Sequence, residues 1–134
     1  MWKLLAIVVG VVLGLAVAAF GLQIIASESG EVVVLETRTG DAVARTRLWV
    51  VEDADSLWLR GGADSGWHQR VVAQPLIVLE RGGVRAPYRA HPEPMRSARI
   101  NELMAEKYGW RDRVIGWFVG DRNADVPLRL EALD

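Results

Sequence analysis

Cysteine is absent from the 134 residues, which excludes disulfides, thiolate metal sites and a cysteine nucleophile. The redox compartment stays open, because a missing thiol suits either side of a membrane. Histidine occurs only at His68 and His91, so a zinc or iron site would have to recruit scattered carboxylates, and no metal site is expected. Lysine occurs only at Lys3 and Lys107, and the formal net charge is −1 with a pI near 6.1. That balance lacks the electrostatic footprint of a nucleic-acid partner. A Gly-rich phosphate loop, a nucleophile elbow and paired histidines at helical spacing are missing too, and with them the hydrolase motifs that carry a mechanism. The sequence shows no internal repeat and no low-complexity tract. A chain this short supports one small core.

The apolar residues are concentrated at the start. From Leu4 to Ile25 the only strongly polar side chain is Gln23, which leaves about 20 residues, the length of a membrane-spanning helix. Trp2 and Lys3 mark its start as an interfacial aromatic and a snorkelling cation, and Gln23, Ser27, Glu28, Ser29 and Gly30 mark its end. A cleaved signal peptide is the competing reading, with Ala16 and Ala18 as a small-residue cleavage site; the run exceeds the usual signal-peptide core and continues past those alanines. The expected organisation is an anchor over 1–26, a linker over 27–30 and a soluble domain over 31–134. Lys3 precedes the helix and the first following cation is Arg38, which favours the N-terminus inside and the soluble domain outside the cytoplasm. Within the helix Ala6, Gly10, Gly14 and Ala18 recur every four residues and form a groove in which a second helix could pack.

After residue 30 the pattern changes to short β-rich runs. Glu31 to Thr39 reads as a strand, Gly40-Asp41 as a hairpin turn, and Val43 to Glu52 as its partner. A third strand over Ser56 to Arg60 ends at Gly61-Gly62. Residues 66–74 form a short helix stopped by Pro75, followed by a strand over Leu76 to Glu80, a Gly82-Gly83 turn and a strand over Val84 to His91. Pro87 assigns that last strand to an edge or a bulge. Ile100, Leu103, Met104 and Tyr108 form a helical stripe, with Gly109 as its C-terminal cap. Arg111 to Phe118 extends the helical part, and Val126 to Leu133 closes the chain as a strand. The expected fold class is mainly β (α+β): a six-stranded antiparallel barrel with short helices, preceded by one transmembrane helix.

Arginine outnumbers lysine fourteen to two. Arg45, Arg47 and Arg60 fall on neighbouring expected strands and Arg70 on the short helix, and guanidinium forks suit phosphate or carboxylate. A solvated strand face is the alternative. Six tryptophans is a high count; beyond Trp2, the residues Trp49, Trp58, Trp67, Trp110 and Trp117 are available to wall a planar ring or to fill a small core, and for any one of them the core is favoured.

The order Thr37-Arg38-Thr39-Gly40, Arg45, Arg47-Leu48-Trp49, Leu57 to Gly62, Ser65-Gly66-Trp67-His68 and Gln74-Pro75 resembles the flavin-binding split-barrel superfamily. Within it the nearest likeness is to the branch of deazaflavin-dependent nitroreductases and quinone reductases. Lys107-Tyr108-Gly109-Trp110 and Val126-Pro127-Leu128-Arg129-Leu130 are similar to that branch's C-terminal part. The resemblance implies a split barrel, a homodimer and FMN or a deazaflavin as cofactor. Two positions depart from the family pattern. The basic and small residues after the turn glycine are Asp41, Ala42, Val43 and Ala44 here, and an aspartate repels phosphate; a helix asparagine is replaced by Arg70.

Two functions follow from the resemblance. In the first, a membrane-anchored oxidoreductase passes hydride from a flavin or deazaflavin to a lipophilic acceptor such as a quinone. Arg45, Arg47, Arg60 and Arg70 would then hold phosphate, Trp49 and Trp67 wall the ring, and His68 or Tyr108 donate a proton. In the second, the barrel binds a ligand or docks a membrane protein without turnover. A domain outside the cytoplasm, away from reduced nicotinamide and deazaflavin pools, favours the second.

Overall fold

The computed structural model describes residues 1–28, 30–119 and 125–133, with the side chains of 23–28 and 119 undescribed. Position 29 of the expected linker lies outside the described residues. The apolar run forms α1 (Trp2–Glu28), of which Trp2–Leu22 is long and apolar enough to cross a membrane, with mean hydropathy 2.8 and no side chain of its most apolar stretch buried in the protein.

Among the described residues seven strands follow: β1 (Val33–Thr39), β2 (Ala42–Leu48), β3 (Val50–Asp53), β4 (Ser56–Gly62), β5 (Leu76–Arg81), β6 (Val84–Pro92) and β7 (Asp125–Ala132). They form one antiparallel sheet in the order β2-β1-β5-β6-β7-β4-β3. β2 and β3 lie at opposite edges, yet only Trp49 separates them in the chain. One residue reaches at most about 3.6 Å, so the sheet must curl until its two edges meet, and the barrel remains split at that seam.

The strand count is seven rather than six because the expected strand over Val43 to Glu52 is two strands. Trp49 turns away from the ladder and stacks on Tyr108, with ring centroids 4.2 Å apart and planes 8° from parallel. The interruption is caused by a residue 59 positions away, which strand periodicity cannot reveal. Gly61 and Gly62 do not end β4 but continue it, paired with Val126 and Asp125. Pro87 lies on an interior strand, at the point where pairing to β7 stops: β7 pairs with Tyr88 to Pro92 only. The Pro87 carbonyl accepts from the Leu133 amide at 3.2 Å, so its missing N–H points the same way, past the end of the β7 ladder.

Alternation along the strands fills the barrel with Val33, Leu35, Val50, Leu59, Ile77, Leu79, Ala90, Leu128 and Leu130. A helix, α2 (Gly66–Ala73), adds Val71 to that core and closes one end of the barrel, contacting β1 and β6. The second core lies outside the sheet. There α3 (Ser97–Tyr108) lays Ile100, Met104 and Tyr108 over Val51 and Trp58, after a single 3-10 turn at Pro94–Arg96. Gly109 caps α3 at φ +56°, and α4 (Trp110–Val119) continues alongside α1.

Candidate functional site

The hairpin register fixes which arginines share a face. In β1 Val33, Leu35 and Thr37 are buried inward, so Glu36 and Arg38 point outward, and the pairing Glu36↔Arg45 and Val34↔Arg47 places Arg45 and Arg47 on the same outer surface. Inward Ile77 and Leu79 assign Arg85, opposite Glu80, and Arg89, opposite Leu76, to that surface as well. Arg38, Arg45, Arg47, Arg85 and Arg89 are all exposed, against the two carboxylates Glu36 and Glu80. Glu36 is held by Arg45 at 2.7 Å and by Arg85, and these guanidinium groups, Arg85 above all, keep its carboxyl below the usual carboxylate range. Two guanidinium groups on one carboxylate leave a net positive charge there, which makes the outer face of β2, β1 and β6 anion-attracting.

The α2 cap collects three other candidates. Trp67 packs edge-on to His68 with centroids 5.6 Å apart, and it lies so close to Gly61 that a Cβ there would meet its Cζ2 at 2.1 Å. His68 is buried, and its Nε2–H donates to the Val126 carbonyl at 3.2 Å, which fixes the neutral tautomer; burial pushes its pKa down. Arg70 donates from Nε to the buried Thr37 hydroxyl at 2.9 Å, on the inner face of β1. Arg70 and Arg45 therefore lie on opposite faces of the sheet.

Arg60 belongs to neither group. Its side chain is 4% exposed beneath α3 and α4, where it donates to Asp112 at 2.6 Å and Asn101 at 3.3 Å, with Asp125 at 3.7 Å. Trp49 packs on the outer core and Trp67 on the barrel core, so the structure does not bring these two rings to one ligand. Tyr108 is 2% exposed; its hydroxyl donates to the Glu31 carbonyl at 2.7 Å and accepts from the Val50 amide at 3.1 Å, and burial raises its pKa. Among the described residues no cluster of three His, Asp or Glu side chains is arranged to hold a metal ion.

Sequence reasoning missed the carboxylates that organise these cations. Glu36 was recoverable, because a turn at Gly40-Asp41 already dictates its pairing with Arg45. Glu31, which bonds Arg81 at 3.0 Å and Lys107 at 2.5 Å, carried no such local signal.

Comparison with solved structures decides the fold. A conserved hypothetical protein of Mycobacterium tuberculosis matches over 89% of this chain and 80% of its own (TM-score 0.61, 18% identity). An FAD-binding protein of Mesorhizobium loti matches over 86% and 89% (0.58, 12%). An F420-H2-dependent reductase, FDR-A, matches over 75% and 93% (0.58, 17%). The fold is the split β-barrel that these proteins share. No family model and no curated protein matches the sequence. To this split barrel the chain adds the apolar helix α1, and at these identities the likeness concerns architecture, with function resting on the site itself.

Proposed function

We propose that the chain is a membrane-anchored split-barrel oxidoreductase that uses a flavin or deazaflavin and acts on a lipophilic acceptor. The observation that carries the reading is the arginine-rich outer face of β2, β1 and β6 on a barrel whose structural neighbours include an FAD-binding protein and an F420-H2-dependent reductase. The donor set fits a phosphate group: the exposed guanidinium forks of Arg45 and Arg85 share the single carboxylate of Glu36, two cations to one anion, with Arg47 on the same face. Arg70, at the α2 cap, would serve an anionic group only from the inner side, and Arg60 supports α3 and α4.

A bound flavin or deazaflavin would supply hydride transfer. The chain's part is to hold phosphate through Arg45 and Arg47, to shield the barrel end from water with Trp67, and to hold a proton at His68 Nε2. His68 rather than Tyr108 carries the proton role in this reading, since it lies beside Trp67 on α2 while Tyr108 is sealed under α3. Residues 1–26 anchor the barrel, residues 31–134, to the bilayer with the N-terminus inside, and the barrel associates as a homodimer. A lipid-soluble acceptor suits that placement.

The second reading, a non-catalytic ligand-binding or assembly module that docks a membrane protein, draws on the burial of both proton-donor candidates and on Asp41 in the β1–β2 turn. Absorption and fluorescence spectra of the detergent-purified full chain, with FMN or F420 added and the unbound fraction removed, separate the two. Retained cofactor that is lost in Arg45→Ala supports the oxidoreductase; a colourless protein that retains neither favours the module.

A further inference from the structure

Helix α4 has an unusual surface for a helix beside a barrel. Trp110, Val114, Trp117 and Phe118 recur at i, i+4, i+7 and i+8 and share one face. Val114 is buried, but Trp110 is 42%, Trp117 75% and Phe118 45% exposed. Arg111 and Arg113 flank this face on either side, and the Arg111 guanidinium sits 5.0 Å over the Trp110 ring. Asp112 points the opposite way and anchors the helix to the barrel through Arg60 at 2.6 Å. Aromatic side chains on one face with arginines at its margins are the composition of a helix lying in a membrane interface.

The position of α1 selects that partner. α1 packs against α4, and the junction after it is bolted to the same corner. The Glu31 carbonyl accepts from Tyr108, its carboxylate binds Lys107 and Arg81, and a Cβ on Gly30 would meet the Tyr108 ring at 3.2 Å and approach Arg111 Cδ to 3.7 Å. From Glu28 to Glu31 the chain spans at most about 10 Å, so the point where α1 ends and the start of α4 are held together.

We propose that α4 is an interfacial helix whose Trp110, Trp117 and Phe118 insert at the headgroup and acyl boundary of a phospholipid bilayer, fixing the barrel against the membrane surface. This rests on the reading of α1 as a membrane anchor. It turns a tethered domain into an oriented one: the α4 side of the barrel faces lipid, and Arg111 and Arg113 reach the phosphates.

The absence of native cysteine allows a direct test with the full chain. Single variants Trp117→Cys and Phe118→Cys, with Leu13→Cys in α1 and Val84→Cys at the exposed start of β6 as references, are labelled with an environment-sensitive fluorophore. They are then reconstituted in phosphatidylcholine vesicles containing a minor fraction of phosphatidylglycerol. The expected result is a blue shift at positions 117 and 118 with quenching by lipids that carry a nitroxide near the headgroup, deep-nitroxide quenching at 13, and neither at 84. If 117 and 118 behave like 84 while 13 is quenched, the anchor holds and the interfacial role of α4 is overturned. If 13 is unquenched as well, the anchor reading itself fails. A blue shift at 117 and 118 that vanishes on dilution with excess lipid and is blind to the nitroxide lipids assigns the face to a second copy of the chain and overturns the proposal.

Discussion

Trp49 lies flat on Tyr108, planes 8° from parallel and centroids 4.2 Å apart, and this stack sits at the seam of the split barrel. Trp49 is the only residue between two edge strands, and Tyr108 ties the start of β3 to the segment before β1 by accepting from the Val50 amide and donating to the Glu31 carbonyl. The Tyr108→Phe variant keeps the ring stack and leaves a buried backbone amide without that partner. It should lose about 1–3 kcal/mol of stability, read by thermal or urea unfolding. Cofactor retention in this variant should match the unmodified chain; its loss would show that the Tyr108 hydroxyl contributes to the cofactor site.

Gly61 faces Trp67 with no room for a methyl group, since a Cβ there would lie 2.1 Å from the indole Cζ2. The Gly61→Ala variant must displace the indole or the strand, at a cost of about 1–3 kcal/mol. The total tryptophan emission should shift to longer wavelength as the Trp67 indole moves toward water. Unchanged stability and emission in Gly61→Ala would mean that α2 does not close the barrel end as described.

How much of this was legible in the sequence depends on whether the cause was local. The Gly40-Asp41 turn set the β1–β2 register, and with it the Glu36–Arg45 pair, because two turn residues leave one antiparallel alignment. The α3 stripe appeared as expected, with Ile100, Met104 and Tyr108 buried. The break at Trp49 and the continuation of β4 through Gly61-Gly62 were not legible: each answers to a partner elsewhere, Tyr108 in one case and Trp67 in the other. Residue type likewise could not separate Trp58, 3% exposed in the outer core, from Trp117, 75% exposed on α4. The arginine candidates show the same limit: Arg45 and Arg60 read alike, but only Arg60 meets α3 and α4 carboxylate and amide partners supplied late in the chain.

His68, Glu31 and Glu36 all have lowered pKa values in the folded chain, and the first two titrate in separate pH windows. His68 is buried as the neutral tautomer, so its folded pKa is depressed below 6.5, and the unfolded chain binds its proton first as pH falls through that value. Stability from His68 is therefore complete above about pH 6.5 and declines below it. Glu31, bonded first by Arg81 and then by Lys107, is lowered from 4.5 to about 2, so its contribution is complete above pH 4.5 and is lost as pH falls toward 2. Melting temperature measured against pH should fall in two stages; His68→Gln should flatten the first and Glu31→Gln the second. A curve unchanged by His68→Gln would place that imidazole in water in the folded state.

Association through α1 can be separated from folding of the barrel. Ala6, Gly10, Gly14 and Ala18 lie one above another, and a Cβ added at Gly10 or Gly14 meets nothing within 4 Å in a single chain. Isoleucine at both positions is thus sterically harmless to the monomer, whereas a second helix seated in the small-residue groove would be pushed away. The Gly10→Ile/Gly14→Ile double variant should leave the melting temperature of the barrel unchanged and weaken self-association of the full chain, measured by energy transfer between labelled copies in vesicles. Undiminished transfer would assign dimerisation to the barrel and not to the α1 groove.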